Sequence, residues 1–163
     1  PRRQGRLTLN PLRHLDLVGS ILILVSGFGW AKPVQWNPRN VHIDVRLASV
    51  LIAVAGPLTN LLLAVISFFL LGQYGTSMSQ TLVGFLGFFA YINVLLAVFN
   101  LIPIPPLDGS HVLFALLPGD LWLLRSQMST YGMMIVFAVA FIFPQVIQAP
   151  TAAVMSALAG IFL

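Results

Sequence analysis

The chain of 163 residues has no cysteine and no glutamate, and it carries only eight basic and four acidic side chains. Without cysteine it can form no disulfide, iron–sulfur cluster or thiolate zinc site. Without glutamate, no mechanism that needs one is complete within these residues. Charged residues make up 7% of the chain, where a soluble domain carries about 25%. That deficit excludes an ordinary water-soluble globule, a disordered tail and a nucleic-acid binder with a basic face. Hydrophobic residues make up 58%, so the surrounding solvent is expected to be a lipid bilayer. Metal ligands, if any, must come from His14, His42, His111 and the acids Asp16, Asp44, Asp108 and Asp120.

The few charges are unevenly placed. Arg2, Arg3, Arg6 and Arg13 crowd the start, Lys32, Arg39 and Arg46 share one loop, and Arg125 stands alone. Pro1 opens the chain with neither an initiator Met nor the charged-then-apolar pattern of a signal peptide. The expectation is one integral membrane domain over residues 1–163, beginning partway through a longer protein. It divides into a basic segment and loop (1–46), two spanning helices (47–102), a Pro-rich segment with a short helix (103–128) and C-terminal helices (129–163).

Run lengths predict an all-α polytopic protein with about three spanning helices. Leu47–Leu71 is 25 residues without a charge, long enough at ~1.5 Å per residue to cross a ~30 Å hydrocarbon core. Thr81–Ile102 also spans, and Tyr131–Ile147 is at the short limit, with Pro144 near its end. If Leu15–Trp30 crossed, the two basic clusters would lie on opposite sides, against the positive-inside tendency. A re-entrant segment that returns to the same face resolves this, and Ser26-Gly27-Phe28-Gly29-Trp30 suits an irregular return path. Thr151–Leu163 is apolar but too short to span, and is expected as a short C-terminal helix. On this topology the Pro103–Met128 segment lies on the cytoplasmic side.

Polar side chains within spans are costly and mark candidate sites. In Ala55-Gly56-Pro57-Leu58-Thr59-Asn60, Gly56 and Asn60 share a helix face, while Pro57 frees the carbonyl of Ala53. Helix packing and an active-site role both fit this cluster. Asn93 and Asn100 share a face of the next span. Directly after it, Asn100-Leu101-Ile102-Pro103-Ile104-Pro105-Pro106-Leu107-Asp108-Gly109 cannot continue a helix. An extended chain with a carboxylate at its tip is predicted. A buried ionised Asp108 needs a cation, a hydrogen-bond set or a proton. It fits an N-cap for a short helix, a metal ligand, or both. His111, three residues on, is a weaker ligand candidate, usually a wetted polar residue in such a position. His42 reads as solvated, and His14 with Asp16 as local structure or a gate at the mouth of the re-entrant segment.

Four blocks in order carry a resemblance: Gly5-Arg6-Leu7-Thr8-Leu9-Asn10-Pro11-Leu12, then Gly27-Phe28-Gly29-Trp30-Ala31-Lys32-Pro33-Val34, then residues 55–60, then residues 100–109. Together they resemble the site-2 protease family of intramembrane zinc metallopeptidases, most closely its small prokaryotic branch. The resemblance implies a zinc ion near the cytoplasmic face, held by two His of an H-E-x-x-H helix and by Asp108. Water activated by zinc and by the motif's Glu then attacks a peptide bond in a substrate's transmembrane helix. Gly56 and Asn60 fall in the family's Gly-x-x-x-Asn position and would position substrate; Asn100 and Pro103 would shape the approach to Asp108.

Partners implied are a transmembrane protein substrate and the lipid bilayer of a prokaryotic plasma membrane; no nucleic acid is expected, and the sequence leaves the oligomeric state open. The chain departs from the family in having no Glu and no two His four apart. In the family that motif precedes the first block, so truncation is expected and the fragment alone should be inactive. Alternatives are a non-enzymatic relative that binds transmembrane segments and a small membrane transporter.

Overall fold

A computed structural model describes residues 43–117 and 122–163, with residues 8, 10, 15–17, 20 and 21. Contacts divide the chain into two compact units, Pro1–His42 and Ile43–Leu163. The second unit holds the candidate site. The re-entrant stretch is described at only five of its positions, and His14 and His42 lie outside the described residues.

Residues 43–163 form the α-helices α1 (Val45–Tyr74), α2 (Gln80–Asn100), α3 (Asp108–Leu116), α4 (Trp122–Ile142) and α5 (Gln145–Phe162). No strand occurs among the described residues, as the all-α expectation requires. Asp44 caps α1, its carboxylate accepting from the backbone N–H groups of Arg46 and Leu47 at 2.9 and 3.0 Å. A 3₁₀ turn, Gly75–Ser77, ends α1, and Ser79 caps α2 by accepting from Leu82 N–H.

Among the described residues, three helical stretches are long and apolar enough to cross a membrane: Val45–Ser77, Gln80–Asn100 and Gln145–Phe162. They pack on one another through small and branched side chains. Ala64 and Phe68 of α1 meet Ala90 and Val94 of α2, flanked by Val154, Met155, Leu158 and Phe162 of α5. Fully buried alanines let backbones approach closely, which drives helix association where lipid removes the hydrophobic force. The Phe69 and Phe162 rings close the α1–α5 contact edge to face at 6.4 Å. Most large apolar side chains elsewhere on α1 and α2, among them Leu58, Leu62, Phe85 and Phe88, face outward, as a lipid-facing surface requires.

The third spanning candidate differs from the expected Tyr131–Ile147. Pro144 divides that run. Its first part belongs to α4, whose leading half carries Arg125, Ser126, Gln127, Ser129 and Thr130, and Gln145 opens α5. The expected short C-terminal helix thereby becomes an 18-residue helix that runs through Pro150. Here composition misled: the apolar run is continuous in sequence while the backbone is not.

Candidate metal centre

The segment 101–107 leaves α2 as a series of turns rather than the extended chain predicted. Ile104 N–H donates to Ile102 C=O at 2.8 Å and Leu107 N–H to Ile104 C=O at 3.0 Å. Prolines 103, 105 and 106 stop the helix, but fixing φ leaves ψ free to turn. The coil brings Asp108 back against α1. A Cβ built on Gly56 would stand 3.3 Å from Asp108 Oδ2, so the two clusters read separately from the sequence form one place. Gly56 lies eleven residues into α1, about 16 Å along its axis.

Asp108 is the first residue of α3, and Leu107 is the N-cap. The N-cap role open for Asp108 is therefore not the one it plays, and no described side chain caps the start of α3; Ser110 Oγ donates back to Leu107 C=O at 2.7 Å. No described residue donates a hydrogen bond to the Asp108 carboxylate. Burial pushes its pKa above the ordinary value, and the nearby His111 partly opposes the shift. A partly desolvated carboxylate with no donor of its own is a competent cation ligand. His111 lies exposed one turn further along α3.

Asn60 lies one turn beyond Gly56, and Asn100 ends α2. Both are half-buried, and neither amide has a hydrogen-bond partner among the described residues. Asn93 differs: its Nδ2 donates to Phe89 C=O at 2.8 Å inside the helix bundle, a structural use. Pro103 is exposed at the outer edge of the turns. No group of three His, Cys, Asp or Glu occurs among the described residues; the donor set fits one oxygen ligand of a zinc site and no more.

Gly56 makes a first test. Gly56→Ala should press the carboxylate back by a few tenths of an ångström and weaken metal binding by less than about tenfold, the low end of what outer-shell changes cost. Gly56→Val should exceed that. Chelator competition on the full-length protein measures both, and equal affinities in all three proteins would refute the contact.

Sequence reasoning missed two residues of this neighbourhood, Arg125 and Gly132 of α4. Arg125 drew notice only as an isolated charge, and a glycine within Ser-Thr-Tyr-Gly-Met-Met carries no local signal.

Comparison with known proteins identifies the family of the chain. Residues 72–143 match the profile described as peptidase family M50. A Bacillus subtilis protein named "putative zinc metalloprotease YwhC" is 47% identical over 150 residues, covering 88% of this chain and 68% of that protein. Relatives bearing the same descriptive name occur in Methanocaldococcus jannaschii, 47% identical over 38% of this chain and 31% of the relative, and in Mycolicibacterium smegmatis, 32% identical over 65% and 42%. No solved structure matches the chain. With three apolar helices and a relative this similar over most of its length, the chain is that of an integral membrane protein belonging to peptidase family M50, the site-2 protease family.

Proposed function

We propose that this chain forms the Asp108-bearing part of a zinc-dependent protease that hydrolyses peptide bonds within transmembrane segments of membrane proteins. The observation that carries the reading is the Asp108 carboxylate, partly desolvated, without a donor among the described residues, and held against Gly56 of an apolar helix. Asp108 would hold zinc through oxygen. When bound, zinc supplies Lewis acidity that polarises the scissile carbonyl and activates water. With no Glu in the chain, the general base and the two His ligands come from outside these 163 residues. Asn60 and Asn100 would serve the substrate: a transmembrane helix must unwind before cleavage, and unpaired amides offer donors and acceptors to the backbone groups this releases.

The basic residues favour placing the Asp108 end on the cytoplasmic side. Arg46 sits at the start of α1, and an antiparallel α2 returns its Asn100 end to that side. Membrane protein substrates and the bilayer itself are the partners this reading implies.

Metal removal tests the proposal on the full-length protein, reconstituted in vesicles with a single-span substrate. Chelation is expected to stop cleavage and added zinc to restore it, while magnesium does not. Cleavage that survives complete removal of zinc would overturn the assignment. Retention of the substrate without cleavage under any metal would favour a binder of transmembrane segments.

A further inference from the structure

Helix α4 stands outside the α1–α2–α5 core and buries only a narrow strip. Gly132 and Val136 are buried, while Tyr131, Met133, Met134 and Ile135 are exposed. Arg125 lies seven residues before Gly132, two turns of the helix, and so on the same face. What that face touches is the segment bearing Asp108.

Gly132 meets the segment at its entrance. A Cβ on Gly132 would fall on the carbonyl oxygen of Pro105, with the carbonyl carbon at 2.8 Å. These are backbone atoms in a turn, so no side-chain rotation relieves the overlap. Pro105 is itself buried and lies three residues before Asp108. Arg125 meets the segment at its exit. Its Nη2 donates to Phe114 C=O and, at 3.5 Å, to Leu117 C=O, and its guanidinium carbon stands 5.4 Å from the Phe114 ring centroid. Those carbonyls belong to the last turn of α3 and to its C-cap, Leu117, where a cation complements both the unpaired C=O groups and the helix dipole. Asp108 sits at the opposite, positive end of the same nine-residue helix.

Holding α3 this way is not free. Arg125 Nε is buried with no partner among the described residues, and a buried unpaired donor costs about 1–3 kcal/mol. A lysine would avoid that loss, but its ammonium lacks the planar guanidinium that fixes the directions of the two Nη2 N–H groups and lies over the Phe114 ring.

We infer that Arg125 and Gly132 are positioning residues, gripping the Asp108-bearing segment at its two ends from one face of α4. The inference rests on the reading of Asp108 as a zinc ligand. A nine-residue helix preceded by turns has little intrinsic stability of its own, so its carboxylate is placed only as well as its ends are held. Neither residue needs to touch metal or substrate to act.

The test uses the full-length protein with two readouts besides proteolysis: zinc affinity by chelator competition, and the ligand-field absorption of the cobalt-substituted protein, which reports coordination geometry. Arg125→Gln, Arg125→Lys and Gly132→Ala are each expected to weaken zinc binding by about 10-fold or more, the range for residues that orient metal ligands, and to change the cobalt spectrum. Gly84→Ala, where nothing lies within 4 Å of the added methyl, should leave both unchanged. A loss of thermal stability alone, with an unaltered cobalt spectrum, is what a merely structural role gives, and it overturns the inference. Should Gly132→Ala fail to fold, Arg125→Lys decides, because it keeps the charge and the aliphatic stem. Arg125 variants within twofold of the native affinity sink the proposal while Asp108→Asn still abolishes binding. Zinc binding untouched by Asp108→Asn would instead remove the metal-ligand reading, and the clamp with it.

Discussion

Asp108→Asn in the full-length protein is expected to abolish cleavage and to lower zinc affinity by more than about 100-fold, beyond the upper end of what outer-shell changes cost. The amide keeps the shape of the carboxylate, so the turns of 101–107, the start of α3 and membrane insertion should be unaltered. What changes is charge. An amide oxygen is a weak zinc donor, and Asp44, the other described carboxylate of this unit, is engaged in capping the start of α1.

Stability of the metal-free protein separates this loss from misfolding. Burial raises the Asp108 pKa above its unfolded value. The group's contribution to folding is then fully present below the unfolded pKa and is lost as pH rises through the folded one. Asn carries no such dependence. The metal-free variant should therefore gain stability relative to the native protein as pH rises from about 4 towards 7, the direction opposite to its loss of zinc. Thermal unfolding at the two ends of that range, together with chelator competition and cleavage of a single-span substrate, provides the check. A variant that retains native zinc affinity ends the assignment.

That Asp108 stood out in the sequence at all follows from its surroundings. A carboxylate in an otherwise apolar, Pro-rich run has no solvent to explain it, and this contrast survives translation into any fold. Its role at the helix start was not legible. N-cap and first helical residue differ by one position, and the choice depends on the backbone of Leu107, which adopts ψ 153°. Gly56 was visible as a packing glycine. That it faces Asp108, rather than a small residue of another span, depends on how far the turns of 101–107 fold back, and side-chain types do not encode that distance.

Helix boundaries show the same division. The ends of α1 and α2 were close to expectation because Asp44 and Ser79 supply caps of a type that local chemistry selects. The C-terminal pair was misdivided because apolar content was continuous across Pro144, while the polar start of α4 was divided between the Pro-rich segment ending at residue 128 and the C-terminal helices. Arg125 in that polar start spends its charge on the carbonyls of α3 rather than on solvent.

Gly109→Ala should be the most damaging small substitution in the described fold. The added Cβ would fall on Leu101 C=O and within 2.7 Å of Ile102 C=O, at the point where α3 returns against the end of α2. Both obstacles are backbone, held by the turn bonds from Leu101 N–H to Ala97 C=O and from Ile102 N–H to Phe99 C=O. Relief therefore requires α3 to move as a body. Overpacking of this kind costs about 3 kcal/mol, and the helix that moves is the one carrying Asp108. Thermal unfolding in detergent should show the loss of stability, and chelator competition a parallel loss of zinc from the fraction that remains folded. Gly84→Ala provides the contrast: with open space around it, the methyl only removes backbone freedom, and the variant should be neutral or more stable by about 0.5–1 kcal/mol. Equal stabilities for the two variants would mean that α3 does not approach the end of α2 closely enough to require a glycine, and the placement of Asp108 would have to be sought in α1 and α4 alone.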